Sequence, residues 1–78
     1  MKKVRVDWVD AIGDANIYEM SKVDKMYPKK VSSVGYLYKK DKARLILCAT
    51  KYEDKDLSDI IIIPRGWVLK ITELKVVD

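Results

Sequence analysis

The sequence predicts a small, mainly β domain: five short strands bent into one barrel, with a helix or helical turn in a long first loop. Three observations predict it. Ile60, Ile61, Ile62 and Ile63 form an unbroken apolar run with the length and β-branching of a strand buried on both faces. Pro64-Arg65-Gly66 then makes a tight corner, and Trp67-Val68-Leu69-Lys70-Ile71 restarts an extended segment. Gly35 interrupts the aromatic and apolar run over 31–39, as expected where a barrel strand bends or bulges.

The elements follow in order. Val4, Val6 and Trp8 alternate with Arg5, Asp7 and Val9, the two-residue period of a first strand with one polar face. Residues 11–16 read as loop. Asn16 with Glu19 three residues on resembles a helix cap, which would bury Ile17, Met20 and Val23; Ser21 with Asp24 offers a competing start. Tyr27-Pro28 ends this segment, because the residue before proline is pushed out of helical space. A second strand over 31–39 places Tyr36 and Tyr38 on one face with Val34. Lys40-Asp41-Lys42 turns it into a third strand over 45–50, apolar on both faces. Residues 52–58 read as a charged loop, 60–63 as the fourth strand and 67–74 as the fifth, with Lys75, Val76, Val77 and Asp78 as a tail.

A chain of 78 residues is one domain, 1–78, near the lower size limit for independent folding. Cys48 is the one cysteine, so no internal disulfide forms, and its apolar strand makes it a core residue. Homo-oligomerisation is the remaining stabiliser. Histidine is absent, which removes the commonest general base and metal ligand. An enzyme here would need a metal held by carboxylates such as Asp7, Asp10, Asp14 and Glu19, so the chain reads as non-enzymatic, with no cofactor. Asp54, Asp56 and Asp59 are spaced somewhat like a calcium loop but lack its central glycine and closing glutamate, and read as a solvated acidic loop. Met1-Lys2-Lys3 opens like a signal peptide, but Arg5, Asp7 and Asp10 break the apolar stretch that should follow. The expectation is a soluble, cytoplasmic protein with no membrane contact.

The net charge of +4 is unevenly spread. Residues 22–44 carry eight cations against Asp24 and Asp41, a balance of +6, whereas residues 53–59 carry four carboxylates against Lys55, a balance of −3. A basic segment attracts polyanions, and opposite patches steer identical subunits together. Lys39, Lys40 and Arg44, with Arg65 in its glycine corner, are the candidate phosphate ligands. Arginine forks a phosphate as lysine cannot, and a Gly66 corner offers backbone amides. Tyr36, Tyr38 and Trp67 are candidate base-stacking residues. The plainer alternatives are that Trp67 plugs the barrel end, the tyrosines pair across strands, and the lysines at the hairpin and at Lys29-Lys30 are solvated.

The stretch Ile63-Pro64-Arg65-Gly66-Trp67-Val68, with Ile71, resembles the end of a Src-homology-3-type barrel. It is also similar to the second signature of Sm-like proteins, a strand followed by an Arg-Gly pair. The chain departs from both: Leu45-Ile46 stands where a peptide-binding Src-homology-3 domain has tryptophan, and Lys40-Asp41-Lys42-Ala43 lacks the asparagine of an Sm-type RNA pocket. Trp8-Val9-Asp10-Ala11, Ser33-Val34-Gly35-Tyr36-Leu37 and Ile63-Pro64-Arg65-Gly66 resemble small bacteriophage-encoded barrel proteins of mostly unassigned function, some of whose small oligomers counter host defence. That resemblance implies residence in the host cytoplasm.

The expected function is therefore a homo-oligomeric binding protein for an anionic nucleotide-type ligand, RNA, DNA or a small nucleotide signal. Arg65, Lys39, Lys40 and Arg44 would hold phosphate, while Tyr36, Tyr38 or Trp67 stack on the base beside Gly66. The alternatives are a protein-interaction module docking on a host protein and a self-assembling structural component.

Overall fold

The computed structural model describes residues 1–13 and 15–75; Asp14 and the tail residues Val76, Val77 and Asp78, about which the sequence raised expectations, lie outside them. Five strands follow in order: β1 (Lys3–Asp10), β2 (Lys29–Lys40), β3 (Arg44–Lys51), β4 (Leu57–Pro64) and β5 (Val68–Glu73). A four-residue helix, α1 (Met20–Val23), lies in the long first connection, and a 3-10 turn, Arg65–Trp67, joins β4 to β5. All neighbouring strands are antiparallel, in the order β4-β3-β2-β1-β5. The mainly β class, five strands and short helix match the sequence reading. Among the described residues, hydrogen bonding leaves β4 and β5 as the two edges, and closure into a barrel is not shown.

The core follows from alternation. Val4, Val6 and Trp8 on β1 are buried while Lys3 and Arg5 are exposed, as the two-residue period requires. They pack with Leu45, Leu47 and Ile63, flanked by Val31, Leu37, Ile61, Val68 and Ile71. Gly35 sits close against β3: a methyl group there would lie 3.0 Å from the Cys48 carbonyl oxygen. The bulge falls two residues later, between Leu37 and Lys39, and places Tyr38 as the extra residue. The hairpin after it is built by Asp41, whose Oδ1 accepts backbone N–H bonds from Ala43 and Arg44, both at 2.9 Å. The same carboxylate meets Arg44 Nε at 3.2 Å. These bonds, the backbone donors foremost, hold the Asp41 pKa below its ordinary value.

Two expectations are corrected. The isoleucine run is not buried on both faces. Ile63 is buried and Ile61 half-buried, but Ile60 and Ile62 are exposed, because β4 is an edge strand covered on one face only. Helix α1 has no buried residue: Ile17 is fully exposed and Met20 and Val23 are open to solvent. Four residues make one turn, too short to present an apolar stripe to a core. Glu19 stands at the N-cap with no side-chain cap bond, so neither proposed cap forms as expected. The chain is elongated, 52 × 26 × 23 Å. Its 16.1 Å radius of gyration exceeds the ~11–12 Å of a compact chain this long. Among the described residues no helix is long and apolar enough to cross a membrane.

Candidate ligand-binding site

The corner after β4 is the most structured candidate. Pro64 fixes the backbone at the strand end, and the 3-10 turn then leads the chain into β5. The Arg65 N–H donates to the Ala43 carbonyl at 3.1 Å, tying the corner to the β2–β3 hairpin. Trp67 stacks on Trp8 with ring centroids 6.5 Å apart and planes inclined by 14°. Trp8 is itself fixed, because its indole N–H donates to Ser33 Oγ at 3.0 Å. Trp67 is therefore covered by an indole yet remains 40% exposed. This residue packs over a core tryptophan and is also open to solvent.

The open part of Trp67 lines an apolar cleft of about 300 Å³ with Gly66, Leu69, Val9, Ala11 and Pro28. A second concavity of about 320 Å³ shares Ala11 and Pro28 and runs on along Ile12, Met26 and Tyr27. The lining is apolar, and cations neighbour its residues along the chain. Lys29 and Lys30 follow Pro28, Lys30 pairs with Val9, Lys70 follows Leu69, and Arg65 precedes Gly66. Arg65 Nη1 is buried and has no hydrogen-bond partner among the described residues. A buried guanidinium nitrogen without an acceptor is costly, so it marks a place where an acceptor would be gained.

The structure divides the candidate residues. Arg65, Gly66 and Trp67 sit together at the corner. Lys39, Lys40 and Arg44 lie on the adjoining hairpin, where Arg44 pairs with Pro64 across strands and its Nε is engaged by Asp41. Tyr36 belongs elsewhere: it opposes Cys48 on the face away from the core, and Lys51 Nζ sits 4.3 Å from its ring centroid. Tyr38, at the bulge, is exposed. Sequence reasoning missed Val9, Ala11, Pro28, Leu69 and the stacking partner Trp8. Trp8 was legible only as a core residue, and the others converge through a long loop whose return path has no local signal.

In comparisons with known protein families, with curated proteins and with solved structures, the chain shows no significant match.

Proposed function

We propose that this chain is a non-enzymatic, homo-oligomeric small-barrel protein of the Src-homology-3 or Sm type, phage-like, that holds an anionic nucleotide-type ligand at the Trp67 corner. A base stacks against the open part of Trp67 while a phosphate accepts from Arg65, with Lys29, Lys30 and Lys70 around the cleft. The observation that carries the reading is Arg65 Nη1, buried and without a partner among the described residues, in the same three-residue turn as Gly66 and a half-open indole. A cleft of about 300 Å³ also suits a single base, at the lower end of small-ligand sites. Of the sequence candidates, Lys39, Lys40 and Arg44 serve as outer phosphate contacts on the adjoining hairpin, whereas Tyr36 and Tyr38 take no part at this corner.

The test is titration of purified protein with mononucleotides and short oligonucleotides, alongside native mass spectrometry of gently purified material. Wild type retains mass in nucleotide-sized increments. Arg65→Ala and Trp67→Ala, both checked for folding, each weaken binding by about tenfold or more. Folded Arg65→Ala protein that binds as well as wild type sinks the reading.

A second reading is supported by the first connection. Ile17, Met20 and Tyr27 are 100%, 86% and 78% exposed, more than a soluble surface ordinarily gives large apolar side chains in one short segment. In that reading the loop anchors the chain on a host protein, and deleting residues 16–24 abolishes partner capture while nucleotide binding is absent throughout.

A further inference from the structure

The face of the sheet away from the core carries a second apolar surface, distinct from the Trp67 cleft. Ile46 pairs with Ile62 and Cys48 with Ile60, so these four side chains share that face. Ile46 and Cys48 are buried, but Ile60 is 46% and Ile62 56% exposed. They stand on β4, which among the described residues pairs with β3 alone and so leaves its other edge without a strand. An apolar, β-branched free edge is what soluble proteins normally charge, shorten or cover. The strand start is kinked by Asp59, whose φ of 56° lies in the left-handed region. The register with β3 is the same from Leu57 to Pro64.

The two ends of this surface are oppositely charged. At the Pro64 end stands the β2–β3 hairpin, with Lys40, Lys42 and Arg44; at the Leu57 end stands the β3–β4 turn, with Glu53, Asp54 and Asp56. Seven strand residues separate the ends by about 24 Å at ~3.4 Å each. That is more than two Debye lengths at physiological salt, so the two groups barely attract each other within one chain. A two-fold rotation changes this. When β4 lies antiparallel against β4 of a second copy, the basic hairpin of each copy meets the acidic turn of the other, twice. The same rotation pairs the free edges and covers Ile60 and Ile62.

We infer that β4 is the homodimer interface: two copies join edge to edge and antiparallel along β4, the Leu57 end of each toward the Pro64 end of the other, with hairpin lysines against partner carboxylates at both ends. The inference deepens the self-association part of the proposed function and needs no ligand. An isologous contact of this kind is self-complementary and closes at two subunits.

Sedimentation equilibrium of three proteins tests it: wild type, Glu53→Lys/Asp56→Lys and Lys40→Glu/Lys42→Glu. All changed positions are exposed, and melting curves check that each variant folds. Wild type is a dimer. Each reversed variant faces like charge at both ends, so its dimer dissociation constant rises by about tenfold or more. Mixed in equal amounts, the two reversed variants form a heterodimer as tight as wild type, because both ends are again complementary. Ile62→Lys weakens the dimer independently of the charged ends. In a Cys48→Ala background, Ile62→Cys crosslinks to its own copy with a short bis-maleimide. A dimer unmoved by Ile62→Lys and by both reversals, or reversed variants that fail to rescue each other, overturns the β4 interface and leaves self-association standing. A wild-type monomer overturns both. Nucleotide titration of wild type, Ile62→Lys and Glu53→Lys/Asp56→Lys, which keep Lys40 in place, scores the Arg65 corner separately.

Discussion

The indole of Trp67 lies on that of Trp8, nearly parallel, so a residue 8% exposed supports one that is 40% exposed. The support runs one way. Trp8 is in the core and hydrogen-bonded to Ser33, whereas Trp67 rests on it from the corner. Trp8→Ala is expected to cost about 3–5 kcal/mol, the range for emptying a buried aromatic site. Trp67→Ala loses part of an exposed ring plus one stacking contact, about 1–2 kcal/mol. Urea denaturation checks the order, and each variant conveniently retains a single tryptophan as reporter. Equal costs would mean that Trp67 is as much a core residue as Trp8.

Gly35 makes a sharper stability prediction. A Cβ there would approach the Cys48 carbonyl oxygen to 3.0 Å and Leu47 Cβ to 3.4 Å. Both belong to the central, buried part of β3, which is hydrogen-bonded on both sides and has little room to move. Gly35→Ala therefore destabilises by about 1–3 kcal/mol through overpacking, despite alanine being the better strand residue. A urea midpoint at or above that of wild type would show that β3 can shift away.

The hairpin gives a pH signature with a definite sign. Asp41 has a folded-state pKa below its unfolded value, because the carboxylate accepts the Arg44 and Ala43 N–H groups and sits beside the Arg44 side chain. Such a group contributes stability above the unfolded aspartate value, and loses it as pH falls through the lower folded value. Asn at this position keeps an acceptor but cannot titrate. The melting-temperature advantage of wild type over Asp41→Asn is thus constant near neutrality and shrinks on acidification. An advantage that grows toward low pH would reverse the assignment.

The sequence made most of the sheet legible because strand alternation and turn chemistry are local. Val4, Val6 and Trp8 announced β1, Lys40-Asp41-Lys42 announced the hairpin, and Pro64-Arg65-Gly66 announced the corner. Burial of the isoleucine run was misread because an all-apolar strand carries no period, and nothing local to it says that β4 lies at an edge. The helix failed for the complementary reason: Ile17, Met20 and Val23 have helical spacing, but spacing supplies no surface to pack against. At the candidate site, Arg65, Gly66 and Trp67 were legible as a corner with arginine chemistry. Val9, Pro28 and Leu69 were not, because only the tertiary return of the first connection brings them beside Trp67.

Cys48 reports on the same sheet from inside. It is a free thiol 1% exposed, on the central part of β3, with its carbonyl oxygen against Gly35 and Ile60 opposite. A thiol reagent can reach it only when the sheet opens, so labelling of folded protein should be about a hundredfold or more slower than in urea. Replacement separates shape from polarity. Cys48→Ala leaves a small void and costs about 1 kcal/mol. Cys48→Ser keeps the size but buries a hydroxyl in an apolar setting, about 1–3 kcal/mol. The expected stability order is wild type, then Ala, then Ser, read from urea midpoints. Ser above Ala would mean that a backbone carbonyl beside Cys48 accepts the hydroxyl, and fast labelling would mean that β3 and β4 part readily.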